Sequence, residues 1–126
     1  MDEHSYLRTH NLEAEHMLLD LGQVVAELHG EAAPGQSRGG ITLVKEGGLS
    51  LVLTHLHAGG SMHEHAAPGA ATVQVLDGRV RMQIGDESLD VEAGRLMAFN
   101  AGVRHSVEAI EDSTLLLTLA TTSYPG

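Results

Sequence analysis

From Ile41 onwards, short runs rich in Val, Leu, Ile and Thr alternate with turns that contain glycine. The turns recur at intervals of about 8–12 residues, which is typical of an antiparallel sandwich or barrel. We therefore predict an all-β domain over residues 41–126. The predicted strands are 41–46, 49–57, 61–65, 71–76, 79–84, 87–91, 95–99, 104–109 and 113–120.

The first 40 residues follow a different pattern. Between Asp20 and His29, apolar residues recur at positions i, i+3, i+4 and i+7, which predicts one apolar face of a short helix. Asp20 is placed to act as its N-cap, with Gln23 three residues on. Residues 1–11 are predicted to form a polar arm and residues 31–40 a turn-rich linker. We therefore divide the chain into an N-terminal arm, helix and linker (1–40) and a β-barrel (41–126).

The dipeptide Asp77–Gly78 is the clearest turn signal in the chain. A two-residue Asp-Gly loop favours a type I′ hairpin, which would fix the register of the strands on either side. The predicted partners on one face are Val75 with Val80, Val73 with Met82, and Ala71 with Ile84. This face is apolar and is predicted to point into the core. The same register sends Gln74 outward, beside Arg81.

Length and charge narrow the classes of function. The chain has 126 residues and no cysteine, so it fits one domain without disulfides or thiolate metal ligands. Its 7 basic and 17 acidic residues give a net charge of −10, which argues against binding to nucleic acid. No run approaches the roughly 18 apolar residues of a membrane span, and the N-terminus lacks an apolar secretory segment. We therefore expect a soluble, cytoplasmic protein.

Nine histidines are the most unusual feature of the composition. His63 and His65 are two residues apart in a predicted strand, so their side chains are expected on one face, where both can bind one metal ion. His55 and His57 form a second such pair, and His105 is the candidate third ligand from another strand. A His-x-His pair alone is more often solvated than metal-binding. The remaining histidines are predicted to lie at the surface: His4, His10, His16 and His29.

The glycines near His105 strengthen the case for a site. The segment GRLMAFNAGVRHSVEA resembles the second motif of the cupin superfamily, which is Gly, five residues, Pro-x-Gly, two residues, His, three residues and Asn. Gly94, Gly102 and His105 have the family spacing, with Asn100 in place of the proline and Ala109 in place of the asparagine. The resemblance covers about residues 41–120. It implies a small jelly-roll β-barrel with the site inside.

The first cupin motif is only partly present. It consists of Gly, five residues, His-x-His, three or four residues, Glu, six residues and Gly. Counting from Gly59 to Gly78 places His65 at the first histidine and Ala67 at the second, whereas counting from the histidines makes His63 and His65 the pair. In both alignments Ala71 replaces the glutamate, and in the second there is one extra residue before it.

The predicted metal ligands are therefore His63, His65 and His105, with His57 and Gln74 as additional pocket residues. Three imidazoles without a carboxylate leave a divalent ion its full charge and open positions for water or substrate. Imidazole does not choose sharply among Zn, Ni, Fe, Mn and Cu.

Two functions remain open at this point. One is a metal-binding cupin that acts on a small organic molecule as an oxygenase, isomerase or lyase. The other is a metal-free cupin that binds or senses a small ligand without catalysis, which the missing glutamate favours. Because cupin-like barrels commonly pair through a sheet edge, the resemblance also predicts a homodimer.

Overall fold

The computed structural model describes residues 16–31, 38–65 and 68–120, with side chains for all of these except 29–31, 38, 64 and 65. Nine strands follow one helix in this part of the chain, as the spacing of apolar runs predicts. The elements are α1 (Leu21–Glu31), β1 (Arg38–Glu46), β2 (Leu49–Leu56), β3 (Ser61–His65), β4 (Ala71–Asp77), β5 (Arg79–Ile84), β6 (Glu87–Glu92), β7 (Leu96–Phe99), β8 (His105–Ala109) and β9 (Ser113–Ala120).

The strands form two antiparallel sheets that face each other as a jelly roll. The first has five strands in the order β1-β2-β9-β4-β7, and the second has four in the order β3-β8-β5-β6. Strand β9, the last in chain order, lies at the centre of the first sheet between β2 and β4. The predicted all-β jelly roll is confirmed.

The main core lies between the two sheets. Along β4 and β5 buried residues alternate with more exposed ones, because successive side chains of a strand point to opposite faces. The apolar face predicted from the sequence is therefore the face that packs inward. Buried residues of this core include Val73, Val75, Val80, Met82 and Leu115.

The helix covers the outer face of the first sheet rather than forming a separate unit. Val24 and Leu28 pack with Ile41, Leu43 and Leu53 in a second apolar cluster. Asp20 caps the helix as predicted, since its Oδ1 accepts a hydrogen bond from the Gln23 N–H at 3.1 Å.

The predicted Asp77–Gly78 hairpin is wrong. Strand β4 pairs with β7 and β9 in the first sheet, whereas β5 pairs with β6 and β8 in the second. Val75 is therefore not paired with Val80, and Gln74 does not lie beside Arg81. Instead, Gln74 is half-buried and its register partners are Leu96 and Leu116.

The chain crosses from one sheet to the other at Gly78, and contacts distant in sequence explain why. Gly78 has φ +89°, and a Cβ at this position would lie 2.3 Å from the Asp112 carbonyl oxygen. The buried Ser113 hydroxyl accepts a hydrogen bond from the Arg79 N–H at 3.0 Å and can donate to the Glu111 carbonyl at 2.7 Å. The backbone N–H that follows Gly78 therefore has its hydrogen-bond acceptor in the β8–β9 turn, and it does not require a hairpin partner.

The first barrel strand begins at Arg38, three residues before the predicted boundary at residue 41. The predicted arm (1–11) and most of the predicted linker lie outside the described residues. Among those that are described, no helix is both long and apolar enough to cross a membrane.

Candidate functional site

His105 lies at the start of β8, in the region predicted to hold the site. It is 4% exposed, and its ring stacks on Phe99 with centroids 4.2 Å apart and an angle of 11° between the planes. Its Nδ1 lies 3.1 Å from the Val103 carbonyl oxygen. A carbonyl only accepts, so Nδ1 carries the proton, and Nε2 of the neutral ring has the lone pair. Metal-binding histidines are typically held by such a bond.

The backbone pairing of β3 with β8 places position 65 directly opposite His105. Directly opposed positions of an antiparallel pair lie on the same face of a sheet. The register is irregular on the way there, because Met62 pairs with Val107 and the next pair is His65 with His105. Three steps along β3 therefore match two along β8, as in a β-bulge. The side chain of His65 itself lies outside the described residues.

Two adjoining spaces lie between the sheets next to this pair. A small cavity of ≈ 20 Å³ is bordered by His105 and Ala71, and a cleft of ≈ 430 Å³ opens towards β1 and β2. Both are lined by Met62 and Leu117, so they adjoin. Ala71 is buried and offers no ligand atom where the cupin motif has a glutamate.

The other predicted site residues lie elsewhere. His63 is exposed and lines a depression on the outer surface of the second sheet with Arg81 and Glu108. His57 is half-buried beside Asp112, at the other end of the jelly roll from His105. Gln74 alternates with the inward-facing Val73 and Val75, so it does not line the interior. The structure does not bring these three residues together with His105.

A second group of metal-ligating side chains lies at the Gly78 end of the jelly roll, which we call the corner end. His55, His57 and Asp112 each offer one ligand atom, and these atoms lie within 4.8 Å of one another. The two imidazoles meet edge to face, with centroids 4.8 Å apart and planes at 90°. His57 Nδ1 is 3.9 Å from Asp112 Oδ1. This triad is a potential metal site.

The pairing of β2 with β9 creates the triad. His55 lies opposite Thr114, and continuing that register by two residues brings His57 opposite Asp112. Both histidines are on the face of β2 that carries Leu53, which packs under the helix. The triad is therefore on the outer face of the first sheet.

The His55–His57 pair is apparent in the sequence, but Asp112 was not predicted to accompany it. An aspartate in the turn between two strands looks like an ordinary solvated residue, and its side chain is indeed 66% exposed. Only the register of β2 against β9 shows that the turn before β9 lies next to the histidine pair.

Comparison with known proteins identifies the family. The family model for the cupin domain matches residues 52–121. This chain belongs to the cupin family. The match runs from within β2 to the end of β9 and includes both the segment around His105 and the triad at the corner end. No curated protein matches the chain in sequence.

Solved structures similar to this cupin share its fold over most of the chain. A conserved protein of unknown function from Streptococcus pyogenes is 27% identical, with a TM-score of 0.70 over 88% of this chain and 93% of that one. A cupin superfamily protein from Desulfitobacterium hafniense is 16% identical, with a TM-score of 0.72 over 86% and 94%. A salicylate 1,2-dioxygenase mutant from Pseudoaminobacter salicylatoxidans is 19% identical, with a TM-score of 0.63 over 79% of this cupin and 31% of that chain.

Proposed function

We propose that this cupin binds a small organic molecule in the cleft between its sheets, with a divalent transition metal held at the inner end by His65 and His105. The observation that carries the proposal is the register of β3 and β8, which sets position 65 opposite the buried His105.

The environment of His105 supports a metal at this position. The bond from Nδ1 to the Val103 carbonyl and the stack on Phe99 both fix the ring before any ligand arrives. A ring held in this way loses little conformational freedom when Nε2 binds an ion. The donor set of the pair fits a late first-row ion such as Zn, Ni, Fe or Cu better than Mg or Ca, which prefer oxygen ligands.

The cleft supports a small organic ligand. Its ≈ 430 Å³ falls within the range of about 300–1,000 Å³ that is usual for such pockets. Val52, Met62 and Leu117 make much of its lining apolar, and the Thr54 hydroxyl adds one polar group. These residues would exclude water and orient an apolar body with its polar end towards His105.

A bound metal would act as a Lewis acid on an oxygen atom of that ligand. Ala71 supplies no carboxylate, so the charge of the ion is not reduced by the protein at this position. We therefore expect anionic or enolisable ligands. The same alanine supports the second candidate, a metal-free binding cupin, because two imidazoles alone hold an ion less tightly than a set that includes a carboxylate.

Elemental analysis of the wild type and of a His65→Ala/His105→Ala variant tests the proposal. We expect the double variant to lose about one equivalent of transition metal, because both proposed ligands are gone. His16→Ala removes an exposed histidine and serves as the matched control. Equal metal content in the wild type and the double variant, after both have been reconstituted with Zn²⁺, would leave the metal-free candidate.

The predicted homodimer and the cytoplasmic location stay predictions. Strand β7 lies at the edge of the first sheet and carries Leu96, which is 54% exposed, so two chains could pair along this edge.

A further inference from the structure

We propose a second metal site in this cupin, outside the jelly roll, in which His55, His57 and Asp112 bind a divalent first-row transition metal ion. The ion would link β2 to the turn between β8 and β9. The site is separate from the proposed interior site and does not depend on it.

The donor atoms suit such an ion. Two imidazoles and one carboxylate form a three-ligand set that zinc uses in proteins, with a fourth position left for water. The same set suits the other imidazole-binding metals and disfavours Mg and Ca. The carboxylate, which the interior site lacks, offsets part of the charge of the ion.

The geometry needs only a small contraction. Tetrahedral zinc with bonds of 2.0–2.1 Å holds its ligand atoms about 3.3 Å apart. The three ligand atoms now lie within 4.8 Å of one another, so the distances between them need to shorten by at most about 1.5 Å. The side chains of His57 and Asp112 are 43% and 66% exposed and have room to do so, while the buried His55 provides the fixed point.

Neighbouring groups already order the ligands. The Ala58 N–H donates to Asp112 Oδ1 at 2.8 Å, and the Thr114 hydroxyl lies 3.5 Å from His55 Nδ1. The turn that carries His57 is closed by a hydrogen bond of 2.7 Å from the Gly60 N–H to the His57 carbonyl. Partners of this kind orient metal ligands and commonly change the affinity of a site by about 10- to 100-fold.

The two proposed sites are far enough apart to be studied separately. His105 is at the start of β8 and Asp112 follows its end, so the length of the strand separates them by about 13 Å. They also face opposite sides: His105 lies between the sheets, and the triad is on the outer face of the first sheet. The net charge of −10 favours the approach of cations to an exposed site.

The experiment begins from the His65→Ala/His105→Ala protein, so that the interior ligands are absent. Zn²⁺ binding is measured by calorimetry, and Co²⁺ binding by its visible absorption, which reports the coordination of the ion. We expect this parent protein to bind one equivalent of either ion. Adding His57→Ala should weaken binding by about 100-fold or more, and Asp112→Asn by about 10-fold or more, with a changed Co²⁺ spectrum.

Asp112→Asn also tests whether a loss of metal affinity comes from the lost ligand charge or from misfolding of the variant. The asparagine oxygen can still accept the Ala58 N–H, so the turn keeps its hydrogen bond while the ligand loses its charge. His16→Ala and Asp86→Asn change an exposed histidine and an exposed aspartate elsewhere, and both should leave the affinity within about twofold. The proposal is overturned if the parent protein binds neither ion, or if His57→Ala and Asp112→Asn bind as tightly as the parent.

Discussion

Strand pairing brings histidines together with other residues at both ends of this cupin. At one end they face the interior of the jelly roll, and at the other they face its outer surface. At the His105 end, the inward-facing His105 is the backbone partner of position 65 in the pairing of β3 with β8. At the corner end, His55 lies on β2 opposite Thr114, and His57, just past the end of β2, lies beside Asp112 on the outward side of the first sheet. In both places the pairing of two strands, rather than the His-x-His spacing, decides which side chains meet.

The two ends also differ in how their side chains are held. His105 is buried, is fixed by a backbone carbonyl and by an aromatic ring, and borders the small cavity between the sheets. His57 is half-buried and Asp112 is largely in solvent, and both are ordered by hydrogen bonds of the turns that carry them. An ion at the corner end would exchange directly with solvent, whereas one at His105 would depend on access through the cleft.

The strongest test of the corner end is Gly78→Ala. We expect a loss of about 2–5 kcal/mol in the free energy of unfolding, because the new Cβ both occupies a left-handed conformation and overlaps the Asp112 carbonyl. Urea denaturation measures this. Gly94→Ala is the matched control, since Gly94 has φ +90° but nothing within 4 Å of its added Cβ, so only about 1–2 kcal/mol should be lost. Equal losses in the two variants would show that the corner is not tightly packed.

At the His105 end, Ala71→Glu introduces the carboxylate that the first cupin motif has at this position. The buried charge should lower the free energy of unfolding by about 3 kcal/mol without metal. The same carboxylate should tighten Zn²⁺ binding at the interior by about 10-fold or more, measured by calorimetry in a His57→Ala background. The gain in affinity should vanish when His105→Ala is added. A gain that survives His105→Ala would place the metal elsewhere.

A smaller effect is expected from Ser113→Ala at the corner end. The Arg79 N–H would lose its acceptor in a partly buried position, which costs about 1–3 kcal/mol. Thermal or urea unfolding gives the value, and Ser61→Ala, at an exposed position, should stay within about 0.5 kcal/mol of the wild type. If Ser113→Ala also stays within about 0.5 kcal/mol of the wild type, the Ser113 hydroxyl does not stabilise the crossing between the sheets.

Much of the fold could be predicted from the sequence because its signals are local. Alternation along 71–76 and 79–84 and the glycine turns between strands located all nine strands to within a few residues. The partner of β4 could not be found in this way. Asp77–Gly78 has the local chemistry of a hairpin, but the contact of Gly78 with Asp112 and Ser113 joins segments more than 30 residues apart.

The candidate site residues likewise divide into those with a local sequence signal and those that depend on contacts distant in sequence. The glycine spacing around His105 singled out a histidine that is buried in the structure. The irregular register between Met62 and His65 has no signature in the sequence, so the faces of the His63–His65 pair could not be assigned by alternation. Asp112 was missed because its partner, His57, is 55 residues away.

The central place of β9 in the first sheet also constrains how the protein can be made. On the ribosome, β2 and β4 emerge before β9 has been synthesised, so each waits with an unpaired edge, for seconds at ordinary elongation rates. An unpaired edge invites association with other chains. The first sheet can only be completed after synthesis has passed residue 113, and nascent chains that stall before this point would be the ones most in need of a chaperone.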